Sequence, residues 1–330
     1  EKAVNRAVIE SIGEPPDQVV LAPPHTVLKT SSGKIRRAAT RQVYERGGHN
    51  AKRPPVWVQF ARLIGASIGP HLMTLARTIR GYGYAGYWWL MAAIFGLTTW
   101  LVISLLTNRR LGQNFTRILC RAFLVAVGAR VRVEGLEHLA SGDGHGPTVI
   151  VANHTSFVDG VMLYAALPGS FRFVAKNSLA KSPWSGPFLR NLGTLFVERF
   201  DPAKGLADSD RVLESIRAGE ITVVFPEGTF GRMPGLLPFR MGAFSNAVEA
   251  GARVVPVALR GGRSMLRSGS WFPRHSELAL VIGESCTTDQ TGWDGAIDLR
   301  DQARKQMLLH TAEPDLKFET GEIEKLKPRS

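Results

Sequence analysis

From Gly81 to Asn108 the chain contains no Asp, Glu, Lys or Arg. A helix of about 20 apolar residues crosses the hydrocarbon core of a bilayer, so this run must either bury itself in a protein core or meet lipid. Its flanks favour lipid. Tyr82, Tyr84, Tyr87, Trp88 and Trp89 crowd one end in the manner of an interfacial aromatic belt, and Arg109-Arg110 close the other. Residues 56–80 mix apolar side chains with Arg62, His71, Arg77 and Arg80 and are interrupted at Gly69-Pro70. They suit a basic amphipathic segment lying on a membrane, or a surface helix of a soluble domain. Residues 56–110 are therefore predicted to form a membrane-associated helical segment. Basic residues stand on both sides of it, so charge does not choose between spanning and re-entrant insertion.

The rest of the composition is that of a folded protein. Of 330 residues 44% are hydrophobic and 21% charged, enough for a sizeable core and unlike a disordered chain. The net charge is 41 − 28 = +13, which favours an anionic partner. The basic residues are scattered and no nucleic-acid-binding motif accompanies them, so a membrane surface or a phosphorylated substrate is expected and nucleic acid is not. Cys120 and Cys286 are the only cysteines, too few for a disulfide framework or a zinc cluster, and no metal site is expected. The chain opens with Glu1 and no signal-peptide pattern, and is expected to be a piece of something longer.

Beyond Gly112 short β-branched runs alternate with helical stretches. Strands are predicted at 131–134, 148–152, 171–175, 194–198, 221–225, 254–259 and 278–282, with helices such as 203–218 and 240–250 between them. This alternation predicts an α/β domain over 111–330, a mixed, largely parallel sheet flanked by helices.

Chemistry concentrates where the second strand ends. Thr148–Ala152 is followed at once by Asn153 and His154, and Asp159 comes five residues after the histidine, in the predicted first turn of a helix. If the link folds back, Asp159 accepts a hydrogen bond from one ring nitrogen and leaves the other as a base. Taken alone, the two residues read equally well as a strand-end polar group and a helix N-terminal charge. Three further blocks lie at or near strand ends. Gly193–Arg199 (GTLFVER) ends in a guanidinium suited to a phosphate, though taken alone it reads first as a strand whose Arg points to solvent. Phe225–Thr229 (FPEGT) puts a carboxylate, a glycine and a hydroxyl after an apolar strand, as a ligand-facing turn or a simple capped one. Val254–Leu259 (VVPVAL), apolar throughout, reads as packing or an acyl-chain wall.

Together, NHTSFVD, GTLFVER, FPEGT and VVPV resemble the four blocks of the glycerolipid acyltransferase family typified by lysophosphatidic acid acyltransferase, over about residues 115–290. The resemblance implies transfer of a fatty acyl group from acyl-CoA or acyl carrier protein to a lysolipid hydroxyl at a membrane, with no bound cofactor. It implies His154 as general base and Asp159 as its orienting carboxylate. Asn153, Gly193, Arg199, Glu227, Gly228 and Thr229 fall on the substrate side, where Gly193 and Arg199 belong to the acceptor site and Glu227, Gly228 and Thr229 help hold its head group. The family's third block continues with Arg, whereas this chain has Phe230. Two readings stay open: Arg232 or Arg240 supplies the charge, or the acceptor carries no phosphate monoester.

The expected acceptor is a lysophospholipid, with 1-acylglycerol-3-phosphate first, in phospholipid biosynthesis. The alternatives are a non-phosphate lysolipid of the lyso-ornithine type, or a catalytically silent lipid-binding module fused to an acyl-activating enzyme. The expected location is a membrane (bacterial inner membrane or equivalent), with the catalytic domain facing the cytoplasm.

Residues 1–46 hold Leu28–Arg37 (LKTSSGKIRR). A phosphate-binding P-loop is rejected, because Leu28 and Ile35 occupy the places that need Gly and Ser or Thr. The segment instead resembles the C-terminal end of adenylate-forming acyl-CoA synthetases, whose acyl-adenylate-contacting lysine would be Lys34. It is read as the tail of a fused or neighbouring acyl-activating module, joined through a linker at 47–55.

Overall fold

Every residue of Thr148–Ala152 is buried, and this strand is the centre of the sheet. The computed structural model describes residues 2–22, 24, 26–47, 55–140, 146–198 and 202–317, without the side chains at 56, 59, 62–64, 66–68, 140 and 202–206. Most of the expected linker and Arg199 lie outside these residues. The chain divides into two units, 1–76 and 77–330.

The first unit holds α1 (Lys2–Ile12), α2 (Arg37–Glu45) and the start of α3 (Val56–Leu105). Between α1 and α2 a small hairpin pairs Lys29 with Ile35, and Lys34 in its turn is exposed. Helix α3 runs on through Gly69-Pro70, where the sequence suggests an interruption. A proline deprives a helix of one N–H bond, and here the apolar helix formers on either side carry the helix across it.

In the second unit α4 (Arg109–Ala126) follows α3, and the sheet is built from β1 (Val131–Glu134), β2 (Thr148–Ala152), β3 (Phe171–Lys176), β4 (Leu195–Val197), β5 (Ile221–Val224), β6 (Arg253–Arg260) and β7 (Leu278–Ile282). Between them lie α5 (Glu137–Ala140), α6 (Asp159–Ala166), α7 (Asn177–Lys181), α8 (Ser185–Asn191), α9 (Pro202–Arg217), α10 (Gly242–Glu249) and α11 (Gly262–Met265), and α12 (Gly292–Thr311) closes the order. The strand order is β1-β7-β6-β2-β5-β3-β4. All neighbours are parallel except β6 and β7, which is the mixed, largely parallel sheet that the alternating pattern predicts. β4 and β5 are each shorter than expected, because the residues beyond them turn away into loops.

The pleat of β2 sorts the core. Ile150 and Ala152 join Met162 and Leu163 of α6 and Phe123 and Leu124 of α4 on one face. Val149 and Val151 join Ile216 of α9, Phe244 of α10 and Leu299 of α12 on the other. Each of these side chains larger than alanine contributes about 1.5–3 kcal/mol on full burial, so β2 is anchored from both faces and its end is fixed in space. Gln113 fixes α4 to the sheet: its amide nitrogen donates to Phe171 O (2.7 Å) and Leu192 O (2.8 Å), and its oxygen accepts from Ser170 Oγ and Phe171 N.

Candidate active site

β2 lies between β5 and β6, and the chain passes from β5 to β6 across it. The carboxyl end of β2 is therefore a place where strand order changes sides, the usual position of a binding crevice in an open α/β sheet. Val151 pairs with Val224, so β2 and β5 deliver His154 and Glu227 three residues beyond the same rung.

The loop after β2 folds back on Asp159, the first residue of α6. The His154 Nδ1 lies 2.9 Å from Asp159 Oδ2, and the same oxygen accepts the backbone N–H groups of Thr155 (2.5 Å) and Ser156 (2.8 Å). Thr155 Oγ1 donates to Asp159 Oδ1 at 3.1 Å. Every contact of this fully buried carboxylate is thus with a donor. A carboxylate in this place favours the tautomer that carries its proton on Nδ1, which would leave the lone pair on Nε2. The His154 side chain is 21% exposed, open enough to be reached by a substrate. Ser156 Oγ donates to Leu266 O at 2.7 Å, which ties the loop to the segment after β6.

The same loop explains two nearby residues. Asn153 makes a reciprocal pair with the backbone of Leu259, donating through Nδ2 (3.0 Å) and accepting at Oδ1 (2.6 Å). Its amide is committed to joining β2 to β6. At Gly262 a Cβ would lie 2.6 Å from Asp159 Oδ1 and 3.1 Å from Thr155 Oγ1. Only glycine lets the turn after β6 approach the carboxylate this closely.

Glu227 stands on the other side of His154. Its Oε1 accepts the His154 backbone N–H at 2.6 Å and its Oε2 accepts that of Leu237 at 2.8 Å. Burial pushes its carboxyl up to about 8, against the pull of those two hydrogen bonds and with the charges of Glu313 and Asp159 adding to the rise. With 4% exposure and both oxygens committed to backbone, Glu227 braces the loops. Gly228 lies in the turn after it, and Thr229 is exposed beside that turn.

Three phenylalanines complete the surroundings of the His154 ring. Phe225 stacks on the imidazole at 4.2 Å with the planes 19° apart, and Phe230 covers it at 4.3 Å and 54°. Phe157, largely exposed, meets Phe230 edge-on at 4.9 Å. Phe157 and Phe225 did not stand out in the sequence as site residues, although the pairing of Val151 with Val224 puts Phe225 at the mouth of the strand. The side chains of Arg232 and Arg240 are exposed. The Arg240 N–H donates to Pro226 O (2.8 Å), so its backbone is held against the Glu227 turn.

Gly193 is not brought to this cluster. It precedes β4, at the amino end of a strand parallel to β3, and so at the end of the sheet away from the carboxyl end of β2. A Cβ there would lie 2.5 Å from Arg109 Cδ, and Arg109 pairs with Glu220 at 2.5 Å. Gly193 makes room for this ion pair. The motif pattern names a strand but not which of its ends faces the site.

Residues 130–260 match the family model described as Acyltransferase. A chloroplastic 1-acyl-sn-glycerol-3-phosphate acyltransferase of Arabidopsis thaliana is 32% identical over 53% of this chain and 48% of its own length. The corresponding protein of Chlamydomonas reinhardtii is 34% identical over 66% of this chain and 63% of its own, and that of Helicobacter pylori 28% identical over 65% and 89%. The chain spans about half the length of the first curated relatives it matches. The crystal structure of the Thermotoga maritima 1-acyl-sn-glycerophosphate acyltransferase has a TM-score of 0.58 at 22% identity, covering 72% of this chain and 96% of that one, and shares the fold.

Proposed function

From an Acyltransferase-family domain at residues 130–260, we propose that this chain is a membrane-associated O-acyltransferase. In this reading it moves a fatty acyl group from acyl-CoA or acyl carrier protein to the hydroxyl of a lysophospholipid, 1-acylglycerol-3-phosphate first. The observation that carries the reading is the His154 Nδ1–Asp159 pair at 2.9 Å, with Nε2 left to act as a base. The relatives' shared activity supports the choice of substrate.

In the proposed reaction Nε2 of His154 takes the proton of the acceptor hydroxyl as its oxygen attacks the thioester carbonyl. Asp159 stabilises the resulting imidazolium. As the C–S bond breaks, the proton passes to the departing thiolate, leaving an ester and a free thiol. A positioned base of this kind contributes about 10²–10⁴-fold. No cofactor is needed beyond the acyl donor. Release of free thiol from a long-chain acyl-CoA tests the reading: it should depend on added 1-acylglycerol-3-phosphate. Release without acceptor would make the protein a thioesterase, and no release would leave a lipid-binding module. A phosphate-free acceptor of the lyso-ornithine type is the second reading, favoured by the apolar Phe230 ring against the base.

Membrane association rests on Gly69–Leu105, which among the described residues is the one helical stretch long and apolar enough to cross a bilayer. Its contacts support an in-plane placement. Tyr84 donates to Val127 O, Trp89 to Trp271 O and Trp100 to Trp184 O, and Asn191 donates to Ile103 O. From Tyr84 to Ile103 is about 28 Å of helix, close to the ~30 Å hydrocarbon thickness. The domain therefore lines this stretch along its length, while Leu90, Ile94, Leu97, Leu101 and Leu105 are left exposed to face lipid. Arg199 remains a candidate phosphate contact. Residues 1–46 are read as the tail of an acyl-activating module, and the catalytic domain as facing the cytoplasm.

A further inference from the structure

Beyond Glu227, the supports of the catalytic pair continue into the segment that follows α12. Glu313 accepts Nε and Nη2 of Arg263, each at 3.1 Å, and also the backbone N–H of Gly235 at 2.8 Å. The remaining Arg263 nitrogen, Nη1, donates to Gly231 O and Met233 O, each at 2.7 Å. Both side chains are largely buried, at 14% and 16% exposure. One ion pair therefore fixes the loop 231–235 from inside.

The next residues of that loop are held just as firmly. Leu236 N donates to Pro314 O (2.9 Å) and Leu316 N to Leu236 O (3.1 Å), a parallel bridge between the loop and the segment after α12. Arg304 of α12, 4% exposed, donates to Leu236 O and Leu237 O at 2.7 Å each and pairs with Asp315. Leu237 N is the group that holds Oε2 of Glu227, whose Oε1 holds the backbone of His154. On its other side Arg263 directly follows Gly262, the residue pressed against Asp159. The Arg263–Glu313 pair thus meets both supports of the dyad and touches neither dyad side chain.

We propose that Glu313, acting through Arg263, is a positioning residue for the His154–Asp159 pair, and that the segment 313–316 sets the placement of the loop on which Glu227 closes. The inference rests on the catalytic reading of His154 given above. Removing one partner of a largely buried pair leaves the other charge without its counter-ion. The loop then shifts against Glu227 and Gly262 together. Displacing a catalytic group by about 1 Å lowers turnover by as much as 10²-fold without touching the substrate.

The test compares Glu313→Gln, Glu313→Ala and Glu313→Asp with Met307→Ala, a core change on α12 that also lowers stability. All are assayed well below their melting temperatures. The glutamine and alanine variants should lose about tenfold or more in kcat with the acyl-donor KM within about twofold, Glu313→Asp should recover part of the loss, and Met307→Ala should keep its kcat. A kcat within twofold of wild type in both Glu313→Gln and Glu313→Ala would overturn the proposal, as would an equal loss in Met307→Ala. If the alanine variant does not fold, the Gln–Asp comparison decides. The proton NMR signal of His154 Nδ1–H gives a second readout that needs no substrate: it should move in Glu313→Gln and stay in Met307→Ala. A wild-type protein without acyl transfer whose signal moves in this way refutes the function and leaves the clamp standing; an active wild type with an unmoved signal refutes the clamp alone.

Discussion

The backbone N–H of His154 donates to Oε1 of Glu227 at 2.6 Å, while the other oxygen of the same carboxylate holds Leu237. Glu227→Gln offers one acceptor where two are used, so one N–H is left facing an amide nitrogen. An unsatisfied buried donor costs about 1–3 kcal/mol. Denaturant unfolding should show a loss of that size, together with slower turnover at unchanged donor KM. Unchanged stability would show that the carboxylate does not brace the loops.

Burial raises the Glu227 carboxyl from 4.5 to about 8. A raised carboxylate favours the folded state in full below its unfolded value, and that contribution is lost as pH rises through the folded one. Stability should therefore fall as pH climbs from about 4.5 towards 8, and Glu227→Gln should flatten that part of the profile. The urea midpoint measured across this window checks the sign; a wild-type midpoint that rose through it by a Glu227-dependent amount would contradict the assignment.

Gly262→Ala places a methyl group 2.6 Å from Asp159 Oδ1. Something must shift at that distance, and the carboxylate's far end is expected to give way, with about a hundredfold loss of kcat for a displacement of this kind. Steady-state kinetics on the folded variant would show it. Near-normal turnover would mean that the turn yields instead of the carboxylate.

These relationships show what the sequence makes legible. The β-branched runs at 148–152 and 278–282 become strands with the expected bounds, because burial on both faces leaves such residues little alternative. The His154–Asp159 spacing is also readable, since a five-residue link with Thr155 and Ser156 donating to Asp159 closes locally. What escapes is the use made of each polar group. Asn153 and Glu227 look ligand-facing at strand ends, yet backbone partners from elsewhere in the chain take their polar atoms. Gly193 belongs to a motif near the site in sequence and lies at the other end of its strand. Arg263 and Glu313, 50 residues apart, meet only once β6 and α12 are packed.

The exposed stripe Leu90, Ile94, Leu97, Leu101 and Leu105 gives a fourth expectation. Replacing Leu97 and Leu101 by Lys removes two side chains that would each contribute about 1.5–3 kcal/mol on full burial in lipid. Sedimentation with liposomes should show binding weakened by at least tenfold, with the fold intact by circular dichroism. Undiminished binding would place the lipid contact elsewhere.

The account turns on His154 as the base, and the most direct measurement is acceptor-dependent release of free thiol by purified His154→Ala. In the proposed mechanism Nε2 takes the hydroxyl proton, and among the described residues the ring's hydrogen bond is the one to Asp159. The variant should fold, bind membranes and lose at least 10²-fold in turnover. Turnover within a few-fold of wild type would contradict the mechanism.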